Sequence, residues 1–280
     1  MINRSFRAIK CGSSFNCFTM SRFSYFNIFI SIGHFLVISF AGVWANIGEL
    51  WRLGQILILV KIEVIVMLLL DIRKKVIQAA RKMLRYGLTT GTWGNISIRH
   101  NEILIAITPS GVDYESMIPE DVVIVDLMGK VIDGDLKPSS EMPMHLAIYQ
   151  ERPDIMAVVH THSPYASAFA VLRKEIPIVL AEMASVVGGT VLVTPYCRPG
   201  SDKLGKDVIR SLRDRAAVLL GNYGVVGVGI TIDEAFNAAQ VVEDGARIYQ
   251  MASTMGKPRL IPESEVKILR EQYLKHYGQK

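Results

Sequence analysis

The sequence predicts an α/β domain that is preceded by an apolar N-terminal extension. Short apolar runs at 103–106 and 122–125 are bounded by polar and turn-forming residues, which is typical of buried strands. Apolar residues recur at helical spacing from Ile72 to Leu84, and a long helical pattern runs from Ile232 to Met255. Upstream of these, residues 23–48 contain no Lys, Arg, Asp or Glu and are rich in Phe, Ile and Val.

From residue 71 onwards, the predicted helices and strands alternate along the chain. Gly87 suits the C-cap of the first helix, because glycine adopts the left-handed conformation without strain. The predicted strands lie at 96–98, 103–106, 122–125, 155–159, 190–193 and 218–220, and the further helices at 141–150, 163–172, 203–214 and 232–255.

The positive charge of the chain is concentrated in its N-terminal part. The whole chain has a formal net charge of +5, and residues 1–66 alone hold six Lys or Arg and two Asp or Glu. The remaining residues therefore carry a net charge of only about +1. A domain with so little positive charge is not typical of nucleic-acid binding, and we expect no nucleic-acid partner. The three cysteines, Cys11, Cys17 and Cys197, predict no disulfide framework and favour a reducing compartment.

Residues 1–66 allow two interpretations. The apolar run 23–48 is long enough to span a bilayer, and the basic residues before it would keep the N-terminus in the cytoplasm. Alternatively, residues 1–66 are an upstream extension of the reading frame, because Met67 stands just before the point where the domain pattern begins. We favour the second interpretation, which predicts a cytoplasmic domain of residues 67–280. The first predicts a protein anchored in a membrane through residues 23–48.

Two histidines end an apolar run and are candidate metal ligands. His160 and His162 follow residues 155–159, which are predicted to form a buried strand. Side chains two residues apart on a strand point to the same face, so both imidazoles could bind one ion. On spacing alone, a solvated strand end is the alternative.

Three turn-like segments supply further candidates. Ser139 or Ser140 suits the N-cap of the next helix, which places Glu141 in its first turn, and the free N–H groups there favour an anion such as phosphate. Glu141 could reach a metal, work as a general acid or base, or be an exposed residue beside a cap. Segments 91–97 and 108–111 combine glycines with hydroxyl groups, which lets the backbone approach a ligand closely.

In their order and spacing, these motifs resemble the class II aldolase/adducin family, from about residue 71 to the C-terminus. The resemblance implies a three-layer α/β/α domain around a mostly antiparallel sheet, usually assembled as a homotetramer. It also implies metal-dependent cleavage of a ketose 1-phosphate of the fuculose-phosphate type to dihydroxyacetone phosphate and an aldehyde. By this resemblance, Glu141 is the catalytic acid/base, His160 and His162 bind Zn²⁺ or another divalent metal, and the phosphate of the sugar substrate is held by Gly94, Asn95, Ser110, Gly111, Ser139 and Ser140.

One position departs from the family pattern. The family's third zinc histidine corresponds to Tyr223 in this chain. A phenol with its usual pKa near 10 is a poorer ligand than a neutral imidazole, although a bound metal can lower such a pKa. The metal site is therefore either Glu141, His160 and His162, completed by Tyr223 or water, or a weakened or lost site.

Three functions remain compatible with the sequence. A metal-dependent aldolase is favoured, because related epimerases tend to carry aspartate at the position of Glu141. Another family enzyme, such as a ribulose-phosphate 4-epimerase or a dehydratase, is the second possibility. The third is a non-catalytic, adducin-like protein, which Tyr223 would fit and which the retained Glu141, His160 and His162 argue against.

Overall fold

The N-terminal part of the chain is described only in short pieces. A computed structural model describes residues 8–11, 15–18, 26–29, 37–40 and 69–276. The first four pieces form two antiparallel pairs: β1 (Ala8–Cys11) with β2 (Phe15–Phe18), and β3 (Phe26–Phe29) with β4 (Val37–Phe40). The rest of the predicted extension, including most of 23–48, lies outside the described residues. Among the described residues, no helix combines the length and apolar character needed to cross a bilayer.

Seven strands of the segment 69–276 form one sheet. They are β5 (Asn95–Arg99), β6 (Leu104–Ile107), β7 (Val123–Asp126), β8 (Val131–Asp133), β9 (Ala157–Thr161), β10 (Ala217–Leu220) and β11 (Gly224–Gly229). Their order across the sheet is β10-β11-β9-β5-β6-β7-β8, and each neighbouring pair is antiparallel. The chain as a whole divides into the units Met1–Val64 and Ile65–Lys280, and this sheet belongs to the second.

Helices cover both faces of this sheet. They are α1 (69–85), α2 (Met142–Glu151), α3 (Pro164–Leu172), α4 (Ala181–Val187), α5 (Asp202–Leu212), α6 (Ile232–Met255) and α7 (Glu263–His276). Buried residues of α1, α3, α4, α6 and α7 share one apolar core, whereas those of α2 and α5 belong to another. The two cores lie on opposite faces of the sheet, which gives three layers.

Alternation along the strands explains why both faces of the sheet are apolar. In β9, Ala157 and Val159 pack into the first core, and Val158 packs into the second. Successive side chains of a strand point to opposite faces, so a strand between two helix layers must be apolar throughout. The expected three-layer α/β/α fold around an antiparallel sheet is therefore confirmed.

The sequence placed some elements well and missed others. Helix α6 has the predicted bounds, α3 begins one residue later than predicted, and Gly87 follows α1 with a φ of +66°. The strand predicted at 190–193 is wrong, because Val191 and Val193 form only isolated bridges. Strand β11 was not predicted, since its three glycines weaken the strand pattern. Helix α7 was also missed, because Val266 is its one buried residue among those described.

The central strands deliver the candidate residues to one edge of the sheet. Strand β9 lies between β5 and β11, and His160 is paired with Asn95 on one side and Val226 on the other. A turn with Asn222 at a φ of +59° joins β10 to β11 and places Tyr223 directly before β11. The start of β5, the end of β9 and the start of β11 therefore meet at the same edge.

Candidate active site

His160 is fully buried near the end of β9, and its protonation state is set by the neighbouring strand. Its Nδ1 lies 2.9 Å from the carbonyl oxygen of Val225. A carbonyl only accepts hydrogen bonds, so Nδ1 carries the proton and Nε2 keeps a free lone pair. His162 is half-buried directly after β9, and its Nε2 lies 3.2 Å from Nε2 of His160.

Glu141 stands at the start of α2 but points into the protein. The helix begins at Met142, and Glu141 is its N-cap residue. The expectation that Ser139 or Ser140 caps the helix is therefore wrong: the Ser139 hydroxyl instead accepts from the N–H of Glu141, at 3.3 Å. The Glu141 side chain is only 2% exposed, which excludes the alternative of a solvent-facing glutamate beside a cap.

The carboxylate of Glu141 meets the histidine pair. Its Oε2 lies 3.2 Å from Nε2 of His160 and accepts from Nδ2 of Asn95 at 2.9 Å, whereas its Oε1 is buried and has no hydrogen-bond partner among the described residues. Lone pairs of the carboxylate and of neutral His160 thus face each other, which is unfavourable unless a proton or a cation lies between them. Two donors on one tetrahedral zinc ion stand roughly 3.4 Å apart, so these spacings suit a shared divalent ion.

The candidate ligands do not form a complete metal site as they stand. Among the described residues, no group of three or more His, Cys, Asp or Glu side chains is arranged to hold a metal ion, and no ion pair joins Glu141 directly to His162. Burial lowers the pKa of His160 to about 4. Burial lowers the pKa of His162 to about 4, and repulsion from His160 when that ring is also protonated acts in the same direction. Both imidazoles are therefore neutral at pH 7, which is the form that binds metals.

The pKa of Glu141 moves in the other direction. Burial raises it, while the hydrogen bond from Asn95 and the charge of His162 oppose the rise. A buried carboxyl group with a raised pKa can exchange a proton closer to neutral pH than an exposed one. Glu141 is therefore suited to acid/base chemistry as well as to ion binding.

Two aromatic rings border the histidine pair. The ring centroid of Tyr223 lies 4.9 Å from those of both His160 and His162. The Trp93 ring stacks on His162 at 5.7 Å and is 61% exposed. Residue 223 thus faces the two histidines, as its sequence position suggested, and Trp93 forms an exposed aromatic surface beside them.

The candidate phosphate-binding segments are brought together by backbone contacts. Pro109 and Pro138 form a β-bridge, the N–H of Ser110 donates to the Lys137 carbonyl at 2.9 Å, and that of Ser139 donates to the Thr108 carbonyl at 3.0 Å. Two loops therefore become neighbours at the start of α2. Within them, Ser110, Gly111 and Ser140 are exposed, whereas Ser139 is buried.

Gly94 joins the third segment to the same region. It has a φ of +77°, and a Cβ at this position would lie 2.6 Å from the carbonyl oxygen of His160. Only glycine allows this conformation and this close approach to β9. The next residue, Asn95, then reaches Glu141.

Comparison with known proteins decides the family. The profile of the Class II Aldolase and Adducin N-terminal domain matches residues 74–250. The chain belongs to the class II aldolase/adducin family. The resemblance noted in the sequence is therefore confirmed, and with it an enzyme of the class II aldolase type.

Individual members of the class II aldolase family cover most of the chain. It is 44% identical to a 5-deoxy-D-ribulose 1-phosphate aldolase of Bacillus thuringiensis serovar kurstaki, over 76% of this chain and 100% of the relative. It is 33% identical to an L-fuculose phosphate aldolase of Escherichia coli K12, over 73% of this chain and 94% of the relative. A solved structure of an L-fuculose 1-phosphate aldolase superposes with a TM-score of 0.71 at 36% identity, over 73% of this chain and 96% of the other.

The sequence did not predict every residue of this class II aldolase site. His145 was not among the candidates, yet it is fully buried and its Nε2 lies 2.6 Å from Oδ1 of Asn95. Its Nδ1 contacts the hydroxyl of Ser97 at 2.7 Å. Periodicity places His145 one helical turn after Glu141 and Ser97 on the same strand face as Asn95, but the contact between the two residues depends on the packing of distant segments.

Proposed function

We propose that this protein is a divalent-metal-dependent aldolase that cleaves a ketose 1-phosphate to dihydroxyacetone phosphate and an aldehyde. The observation that carries the proposal is the convergence of Glu141 on the histidine pair. Oε2 of Glu141 and Nε2 of His162 each lie 3.2 Å from Nε2 of His160. In a member of this family, a carboxylate beside two neutral imidazoles supports metal-assisted lyase chemistry.

The ion would be held by His160, His162 and Glu141, with Tyr223 or water completing the site. These residues fit Zn²⁺, because imidazole nitrogen and carboxylate oxygen are common zinc donors and because Oε2 of Glu141 and Nε2 of His160, which both carry lone pairs, lie 3.2 Å apart. When bound, the divalent ion stabilises the negative charge that develops on substrate oxygens as the carbon–carbon bond breaks.

Glu141 would move the proton that the reaction requires. Asn95 occupies Oε2 of Glu141 through its Nδ2, at 2.9 Å, which leaves Oε1 free to take a proton from the substrate and return it to carbon. The raised pKa of Glu141, which results mainly from burial, makes this exchange easier near neutral pH. Glu141 is therefore the proposed catalytic acid/base.

The phosphate group would be bound beside α2, away from the reacting carbon atoms. The proposed phosphate site consists of Gly94, Asn95, Ser110, Gly111, Ser139 and Ser140. Exposed hydroxyl groups of Ser110 and Ser140 lie on adjacent loops at the N-terminal end of a ten-residue helix. A helix N-terminus attracts anions through its free N–H groups and its dipole. Binding energy from the phosphate would orient the reacting carbons.

Among ketose 1-phosphates, 5-deoxy-D-ribulose 1-phosphate is our preferred substrate. The relative named for this compound shares 44% identity with this chain, compared with 33% for the L-fuculose phosphate aldolase. The sequence, by its family resemblance, had predicted a substrate of the fuculose-phosphate type. Cleavage of either compound between C3 and C4 gives dihydroxyacetone phosphate, so the products of the two reactions differ only in the aldehyde.

A coupled assay tests this function. The purified full chain, supplied with Zn²⁺, is incubated with each ketose 1-phosphate, and dihydroxyacetone phosphate is followed through NADH oxidation by glycerol-3-phosphate dehydrogenase. We expect release from both compounds, with the higher kcat/KM for 5-deoxy-D-ribulose 1-phosphate. A changed sugar without dihydroxyacetone phosphate would favour the epimerase or dehydratase alternative, and no reaction in a metal-loaded protein would favour the adducin-like one.

The assembly and the N-terminal boundary are proposals as well. We propose a cytoplasmic homotetramer whose catalytic domain is formed by residues 67–280. The family match at 74–250 lies entirely within this domain, which supports the boundary. Light scattering of the full chain measures the subunit number, and N-terminal sequencing of the native protein tests whether it begins at Met67. A protein that retains residues 1–66 and fractionates with membranes would support the anchor instead.

A further inference from the structure

A row of buried polar side chains leads away from Glu141 through the second core. The hydroxyl of Tyr149 lies 2.7 Å from Oγ of Ser97, which lies 2.7 Å from Nδ1 of His145. Nε2 of His145 lies 2.6 Å from Oδ1 of Asn95, whose Nδ2 donates to Glu141 at 2.9 Å. Each of these residues is at most 5% exposed. We call this row the Tyr149–Glu141 chain.

When Glu141 is ionised, the hydrogen bonds of the Tyr149–Glu141 chain have only one possible donor-to-acceptor direction. A carboxylate only accepts, so Asn95 must present Nδ2 to it and keep Oδ1 for His145. Oδ1 also only accepts, so His145 must carry its proton on Nε2. The lone pair on Nδ1 then accepts from the hydroxyl of Ser97, which in turn accepts from Tyr149. Each contact thus fixes the orientation of the next.

The surroundings keep the donors of this chain in the required form. Burial lowers the pKa of His145 to about 3, with a smaller contribution from His160 when that ring is protonated, so the imidazole is neutral and carries a single proton. Burial also raises the pKa of the Tyr149 phenol, which therefore remains a donor. A polar row in an otherwise apolar core is costly unless every member is satisfied, so loss of one member affects its neighbours.

We propose that Ser97 and His145 are positioning residues that fix the side-chain amide of Asn95 with its Nδ2 on Glu141. The inference rests on the proposed function, because it assigns to the pair a task in aligning the acid/base. An asparagine amide has two orientations of nearly equal shape. The reversed one would place Oδ1 against the carboxylate and turn Glu141 away from its working position. The proton on Nε2 of His145 selects the productive orientation.

Removal of single hydroxyl groups tests the proposal. Ser97→Ala deletes the donor to Nδ1 of His145 and frees the ring to place its proton there. We expect kcat for the ketose 1-phosphate to fall roughly ten- to hundredfold, which is typical when a residue that orients an active-site side chain by a hydrogen bond is lost. KM should stay within about twofold of the wild-type value. Tyr149→Phe removes only the outermost donor, and Ser97 can still donate to His145, so we expect a smaller fall in kcat of about threefold.

Controls separate positioning from a general loss of stability. Ser97→Thr retains the hydroxyl and should recover most of the kcat lost in Ser97→Ala. Ser167→Ala removes a buried hydroxyl that has no partner among the described residues, and it should leave kcat unchanged. Equal losses of kcat in Ser97→Ala and Tyr149→Phe, or a loss that follows the fall in Tm across all variants, would overturn the proposal.

A second readout does not depend on catalysis. In the full chain labelled with ¹⁵N-histidine, the two ring nitrogen shifts report which nitrogen of His145 carries the proton. We expect Nε2–H in the wild type and in Tyr149→Phe, and a loss of that preference in Ser97→Ala. A wild-type ring protonated on Nδ1 would overturn the proposal. If the wild type cleaves no ketose 1-phosphate, the proposed function fails, while the ring shifts still decide the direction of the Tyr149–Glu141 chain.

Discussion

Oε2 of Glu141 lies 3.2 Å from Nε2 of His160, although the two residues come from the start of α2 and the end of β9. Both side chains are almost completely excluded from solvent. Because neutral His160 has its proton on Nδ1, this contact joins two groups that both carry lone pairs. The arrangement is favourable when a cation is bound between the two atoms.

Replacement of both histidines should abolish metal binding. We expect the wild-type protein to retain about one zinc ion per chain after zinc is supplied and excess is removed, and His160→Ala/His162→Ala to retain none, because two of the nitrogen donors are lost. His276→Ala, an exposed histidine at the end of α7, is the matched control and should bind zinc like the wild type. Elemental analysis measures all three, and equal zinc in the double variant would exclude this site.

The metal-free protein should lose stability as the pH falls from about 6.5 to about 4. Burial lowers the pKa of both His160 and His162 to about 4 in the folded state, below the usual 6.5. The unfolded chain therefore binds more protons in this window, so the free energy of unfolding falls with decreasing pH. Glu141, whose pKa is raised, opposes this effect in part.

Urea unfolding between pH 7 and pH 4.5 measures this dependence. The control is His160→Asn, which keeps a polar side chain and removes one titrating ring, and it should show a shallower decline than the wild type. A free energy of unfolding that is the same at both pH values in the wild type would show that the buried histidines do not resist protonation.

Replacement of Tyr223 by histidine should strengthen metal binding. The Tyr223 ring lies 4.9 Å from both histidine rings, and a neutral imidazole is a better ligand at pH 7 than a phenol. Residues that only contact a metal ligand typically change metal affinity by about tenfold or more. We therefore expect Tyr223→His, which adds a ligand, to lower the Kd for zinc by at least about tenfold. Chelator competition gives the Kd. Tyr196→His, at an exposed position, is the control, and an unchanged Kd in Tyr223→His would show that residue 223 does not reach the ion.

Loss of the Ser140 hydroxyl should weaken substrate binding without slowing the chemistry. Ser140 is exposed at the start of α2, whereas Ser139 also accepts from the N–H of Glu141, so Ser140→Ala is the cleaner variant. The phosphate is unchanged in the reaction, so we expect a KM about tenfold higher and a nearly constant kcat. Ser116→Ala, on an exposed turn, is the control. A wild-type enzyme that uses the unphosphorylated sugar equally well would contradict a phosphate site here.

The sequence predicted the parts of the site that depend on local spacing. The separation of His160 and His162, and the turns around Gly94, Ser110 and Ser139, follow from strand and turn geometry. It failed where a side chain depends on distant partners. Whether Glu141 faces solvent or the core depends on its contact with Asn95 of β5, which the sequence does not reveal.

The same reason explains the omission of the buried polar row. Ser97 and His145 are 48 residues apart, and neither carries a local signal for the other. Strand β11 was hidden by its glycines, although it supplies the carbonyl of Val225 that sets the His160 proton. Long-range pairing therefore supplied what propensity and periodicity could not.

Restoration of activity by metal is the most direct test of metal-dependent cleavage. The full chain is stripped with a chelator, and zinc is then titrated back while the release of dihydroxyacetone phosphate from 5-deoxy-D-ribulose 1-phosphate is followed. We expect no release from the stripped protein and a linear gain in activity that saturates at about one zinc ion per chain. Glu141→Gln should bind phosphorylated substrate yet lose roughly a hundredfold or more in kcat. Undiminished release from the fully stripped protein would show that the cleavage needs no metal ion.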